Sequence, residues 1–175
     1  RNTAQFRGTM LNTLLRTDGY SFSQLGAFIE RADNTARILD VKYYVLLPRA
    51  ELVGSNLDMS QWSTILRAAS AHRSYKHAYR DRFKAWNIAE FLILRREMPR
   101  SLAHCYGWIS STLLDLEQYY GNRYDCHELC RKVHDTLRQS DMDQIFQGGL
   151  HEFLTNFIAS NNSLATTIAE DYNFY

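Results

Sequence analysis

The chain has 175 residues, 45% of them hydrophobic, with two prolines and a formal net charge of +1. That is enough for a single domain with a sizeable core, and too apolar and proline-poor for a disordered chain. The weak net charge selects neither nucleic acid nor a membrane surface, and no apolar run reaches the length of a bilayer-spanning helix.

Cys105, Cys126 and Cys130 are an odd, small set. They fit reduced thiols in a cytoplasmic protein better than a disulfide framework. No signal peptide precedes the first helix. The chain begins at Arg1 rather than Met, as a fragment of a longer protein would.

Periodicity and capping signals predict helices at about 3–16, 21–47, 59–83, 87–96, 99–120, 126–139, 141–147 and 150–172. Ser21 with Gln24, Asn87 with Glu90 and Asp125 with Glu128 have capping-box spacing. Asp58 or Ser60 can cap the helix of Trp62, and Pro99 suits a first helical turn. Pro48 and Gly121 act as stops. Leu102, Tyr106, Ile109, Leu113, Leu116 and Tyr120 form one core stripe, and Leu150, Leu154, Phe157, Asn161, Leu164 and Ile168 another. No alternating strand pattern, repeat or interdomain linker interrupts this series. The expected fold is all-α: residues 1–175 as one antiparallel helical bundle of about seven or eight helices.

The helix from Ser21 is the unusual one. Phe22, Leu25, Ile29, Ala32, Ala36 and Leu39 form an apolar arc, followed around the cylinder by Asp40, Asp33, Gly26, Arg37 and Glu30. Apolar residues then return with Val41, Ala27 and Ile38. A narrow charged stripe between apolar faces differs from an ordinary solvated back, and places this helix at the centre of the bundle. Charges there must be paired or hydrogen-bonded. Arg37 is four residues from Asp33 and three from Asp40, so the spacing predicts an internal network with Arg37 between two carboxylates. Glu30 has no cation on its own face within a turn and must look to another helix. Gly26 would let a helix or ligand come close. The network is the first reading, and a binding or catalytic stripe is the second.

The helix 59–83 carries "HRSYKHAYRDRFK". His72, Lys76, Tyr79 and Phe83 continue the stripe of Trp62, Ile65 and Ala69, while Arg73 and Arg80 face outwards. A solvated flank is preferred over a nucleic-acid surface, with an acidic protein partner as the more modest alternative. In "LRREMPRSLAHC", Arg100 and Ser101 stand at the start of a helix, where backbone N–H groups favour an anion or carboxylate. Arg100 is the natural candidate partner for Glu30. In "DCHELCRKVH", His127, Cys130 and His134 share a face. The spacing is not that of a zinc finger, so a buried-core role is expected and no metal is assigned. No glycine-rich phosphate loop, nucleophile elbow or His-Glu-x-x-His motif occurs, and no cofactor is assigned.

"LGAFIERADNTARILDVKYYVLLP" resembles the Glu-Arg signature segment of the alpha-E family of bacterial helical proteins. "QWSTILRAASAHRSYKHAY", "AEFLILRREMPRSL" and "GGLHEFLTNFI" are similar to its later segments, in the same order. The likeness is to the C-terminal part of a longer member, a preceding helical half with its own Glu-Arg segment being absent. The resemblance implies an accessory or fused domain of an ATP-grasp-type ligase, in amide or peptide bond formation or peptide modification. It points to Glu30 and Arg31 by the motif, to Asp33, Arg37 and Asp40 in the same segment, and to Arg100 and Ser101 in the third stretch. Any ATP chemistry falls to the partner. Whether the chain is itself an enzyme is open. In that alternative Glu30, the candidate acid or base, lines a pocket for an amino acid or peptide with Asp33, Arg37 and Arg100. In a third reading the chain is a purely structural interaction domain.

Overall fold

The computed structural model describes residues 2–44, 55–80 and 83–174. Among them the secondary structure is helical throughout, in nine helices: α1 (Asn2–Thr13), α2 (Asp18–Tyr44), α3 (Asn56–Ala68), α4 (His72–Tyr79), α5 (Ala85–Ile93), α6 (Leu102–Tyr120), α7 (Asp125–Gln139), α8 (Met142–Gly148) and α9 (Leu150–Asp171). The expected all-α class holds. Pro48 and most of the expected loop 48–58 lie outside the described residues.

The predicted helix 59–83 is in fact two helices. The break is a Schellman-type ending at Ser70, which sits in the left-handed region at φ 53°. The Ser70 N–H donates to the Arg67 carbonyl and the Ala71 N–H to the Leu66 carbonyl, the pattern that closes a helix when one residue turns left-handed. Serine is an uncommon residue there, so the stop carries no glycine signal. The break also resets the helical phase. Tyr75, not His72 or Lys76, becomes the fully buried residue of α4. Lys76 is exposed and runs beside the Phe83 ring, 5.9 Å from its centroid.

Four long helices form the core. α2 packs on α6 and α9, and α7 closes the ring by packing on both α6 and α9. The shorter α3, α4, α5 and α8 pack alongside. Both predicted stripes face inwards. Leu102, Tyr106, Ile109, Leu113 and Leu116 are buried on α6, as are Leu150, Leu154, Phe157, Asn161, Leu164 and Ile168 on α9. Tyr120, at the end of the first stripe, is exposed and donates its hydroxyl to Asp18 at 2.7 Å. Burying each such leucine or isoleucine contributes roughly 1.5–3 kcal/mol. On α2, Leu25, Phe28, Ala32, Ala36 and Leu39 are buried, which makes it the central helix expected.

Helix starts differ in detail. Ser55 caps α3, its Oγ accepting the Asp58 N–H at 3.2 Å, so neither Asp58 nor Ser60 is the cap. α2 begins at Asp18, a turn before Ser21. α6 begins at Leu102 with Ser101 as N-cap, so Pro99 and Arg100 precede the helix instead of forming its first turn.

Candidate functional site

Glu30-Arg31 is the only Glu-Arg dipeptide in the chain. Adjacent helical residues leave the axis about 100° apart, and the two side chains serve different surroundings. Arg31 turns towards the residues before α6. Its Nη1 donates to the Pro99 carbonyl at 3.1 Å, and its guanidinium lies 4.7 Å from the centre of the Phe28 ring. Glu30 is exposed and stands at the edge of a groove between α2 and α9.

This groove has a volume of ≈ 430 Å³. Phe22, Leu25, Ile29, Ala165 and Ile168 give it apolar walls, and Phe174 of the C-terminal segment closes in on them. Its polar groups are Glu30, Asp33, Asn161 and Asn162. Gly26 belongs to it, and a Cβ there would meet nothing within 4 Å. The glycine therefore leaves open space rather than receiving a neighbouring helix.

Asn161 is fully buried and both ends of its amide are bonded. Its Oδ1 accepts from the Tyr106 hydroxyl at 3.1 Å and its Nδ2 donates to the Ile29 carbonyl at 3.2 Å. That bond ties α9 to α2 immediately before Glu30. Asp33 is different. Its Oδ2 accepts from Arg37 Nε at 2.7 Å, whereas its Oδ1 is buried with no hydrogen-bond partner among the described residues. A buried carboxylate oxygen without a donor is costly, and this one belongs to a groove-lining residue.

The expected closed network is not formed. Arg37 pairs with Asp33, but its side chain is 54% exposed. Asp40 turns away, and its Oδ1 accepts from His151 Nδ1 at 2.6 Å. Thus Arg37 does not lie between two carboxylates. The reason is that the charged stripe meets α9 at two places. His151 at the start of α9 takes Asp40, and the groove further along is lined by exposed Glu30 and by the largely covered Asp33.

Arg100 does not pair with Glu30. It is half-buried in the turn before α6, on the side approached by Arg31, and it does not line the groove. Ser101 is fully buried and committed to structure. Its Oγ accepts the His104 N–H at 3.0 Å and donates to the Arg95 carbonyl at 2.6 Å. Both of its roles there are local, one as a helix cap and one as a clasp on the preceding turn. Of the residues singled out on the charged stripe and before α6, the groove therefore gathers Gly26, Glu30 and Asp33, while Arg31, Arg37, Asp40, Arg100 and Ser101 go elsewhere.

On the Cys/His face of α7, Cys126, His127 and Cys130 are packed into the core, whereas His134 is half-buried. His127 Nε2 donates to the Leu113 carbonyl at 3.0 Å, which leaves Nδ1 to accept the Tyr124 N–H at 3.1 Å. Cys126 and Cys130 are buried, and burial is the first cause that pushes both thiols up, Cys130 to about 12. Neither is poised as a thiolate.

Three features escaped the sequence reading. His151 followed by Glu152 is too generic a pair to single out. Asn161 reads as a core-stripe position, but its polar role depends on which carbonyl α9 meets. Lys42 and Asp58 form a buried ion pair across α2 and α3. A lysine beside tyrosines at the end of a helix carries no sign that its amine will be buried.

This arrangement defines an all-α protein built around one central helix, whose Glu-Arg dipeptide sits between a carboxylate-edged groove and the turn before α6. The chain matches the Alpha-E family, described as a predicted alpha-helical domain with a conserved ER motif, over residues 1–173, and it belongs to that family. The match takes in the chain as a whole, which corrects the expectation of a likeness to a C-terminal part alone. No curated protein and no solved structure matches it. No described helix is long and apolar enough to cross a membrane.

Proposed function

We propose that this protein is a helical binding domain that holds an amine-bearing amino acid or peptide for an ATP-grasp-type ligase forming an amide bond. The resemblance of the Glu-Arg segment implies the ligase partnership. The single observation that carries the ligand class is Asp33 Oδ1, a buried acceptor with no donor among the described residues, beside exposed Glu30 on an apolar-walled groove. Acceptors in want of donors suit an amine or a backbone N–H, and the apolar walls suit a side chain. The amine is also the nucleophile that an amide-forming ligase requires. Binding it here would raise its local concentration and fix its direction.

The test is ATP-dependent amide formation by an ATP-grasp-type ligase of the same genome, with and without this protein. Turnover should rise on addition, and the two should co-purify. Glu30→Gln keeps the shape of the side chain, so the protein should fold while the stimulation falls. Absence of binding at micromolar concentrations, with turnover unchanged, would overturn the reading.

A further inference from the structure

A second cavity, away from the Glu30 groove, has the opposite electrostatic character. α6 contributes Ala103, His104, Gly107, Trp108 and Ser111, which recur at spacings of three and four on a face beside its core stripe. α7 contributes His134 and Arg138, one turn apart, and the turn before α6 contributes Arg96. The volume is ≈ 420 Å³, within the range of small-molecule sites. Two guanidinium groups and two imidazoles line it, without one carboxylate.

The two arginines are not balanced locally. Neither Arg96 nor Arg138 has an ion pair among the described residues. Burial first, then Arg138 and also Arg96, lower the pKa of His134, and only Asp135 opposes them. Asp135 is itself held by Arg131 at 3.1 Å. In a chain with net charge +1, this is a local concentration of positive charge and not a general excess.

Two further observations show a built site. His104 Nδ1 donates to the Arg96 carbonyl at 2.8 Å, which clamps the Arg96 turn against α6. Trp108 is 50% exposed, yet its ring is fixed, stacked on Phe28 with centroids 5.5 Å apart and planes within 3°. Phe28 in turn carries the Arg31 guanidinium. A half-exposed, braced indole beside two unpaired arginines offers one planar wall and one anion clamp.

We infer that this cavity binds a phosphate monoester carried on a planar group. The arginine forks suit phosphate oxygens, the Ser111 hydroxyl is a further donor, and the planar group stacks on Trp108. A phosphate monoester, with a charge approaching −2 at neutral pH, answers two unpaired guanidiniums better than a carboxylate does. The recognition uses side chains from three segments, so no glycine-rich loop is needed. The inference is independent of the ligase partnership.

The experiment titrates the full chain with phenyl phosphate, inorganic phosphate and benzoate, read by calorimetry and tryptophan fluorescence. Phenyl phosphate should bind about tenfold or more tightly than inorganic phosphate, because only it stacks, and more tightly than benzoate. Its binding should quench fluorescence in the wild type. Arg96→Gln and Arg138→Gln should each weaken it about tenfold. Both side chains are exposed, so these variants should fold, which urea unfolding checks. Trp108→Leu should reduce phenyl phosphate to the affinity of inorganic phosphate. Arg73→Gln, on α4, should change nothing. A lack of saturation by phenyl phosphate at millimolar concentration, arginine variants that bind like wild type, or benzoate binding as tightly as phenyl phosphate would each overturn the inference.

Discussion

Lys42 Nζ lies 2.7 Å from Asp58 Oδ1, and the lysine is almost completely buried. The same ammonium donates to Gln61 Oε1 at 2.6 Å and stands 5.4 Å from the centre of the Trp62 ring. The pair joins the far end of α2 to the first turn of α3. Two charges taken out of water this far are held by mutual attraction and hydrogen bonding, and removing one partner strands the other. Lys42→Met should therefore destabilise by about 3–5 kcal/mol in urea unfolding. Lys42→Met with Asp58→Leu should cost markedly less, because no buried charge is left alone. A Lys42→Met protein as stable as the wild type would contradict the burial.

Arg37 offers the contrast. Its pair with Asp33 is close, but the arginine is largely in solvent. Exposed pairs four apart on a helix contribute little. Arg37→Leu should change stability by no more than about 0.5 kcal/mol, and raised salt should shrink even that. A loss of several kcal/mol would restore the closed network that the spacing suggests.

The Asp40–His151 bond should make stability depend on pH. The hydrogen bond to Asp40 is the main cause that raises His151 above its ordinary 6.5. A group whose folded pKa is raised stabilises fully below its unfolded value and loses that contribution as pH rises through the folded one. The Tm advantage of wild type over Asp40→Asn should thus be largest in mildly acidic solution and shrink as pH rises past His151's raised value. NMR titration of the His151 ring should show a lower pKa in Asp40→Asn. An unchanged ring titration would exclude the coupling.

Asn161 joins three helices through two hydrogen bonds, from Tyr106 and to Ile29. Asn161→Leu keeps the volume but leaves the buried Tyr106 hydroxyl without its acceptor, which should cost about 1–3 kcal/mol. Adding Tyr106→Phe should recover part of that loss, since the stranded hydroxyl goes with it. If the second change destabilises further by its full single-mutant amount, the two residues are not coupled.

The helical class, the two long core stripes and the central place of α2 were legible in the sequence. Leu102 to Leu116 and Leu150 to Ile168 repeat at helical spacing, and local periodicity decides which face of a helix is apolar. The Glu-Arg segment was legible too, because a charged stripe flanked by apolar residues is visible on one helix alone. What each charge faces is a different kind of question. Asp33, Arg37 and Asp40 have spacings that permit one network, but His151 draws Asp40 away from more than a hundred residues along the chain. Lys42 finds Asp58 only because α3 lies against α2. Arg96, His134 and Arg138 share a cavity only because α7 folds back on α6. Local sequence fixes the direction of a side chain from its own helix axis, whereas its partner is set by helix packing, and packing depends on the whole set of apolar faces at once. The long helices and their buried faces therefore follow from the sequence, while the break at Ser70, the groove, the cationic cavity and the buried ion pair follow only from the folded structure.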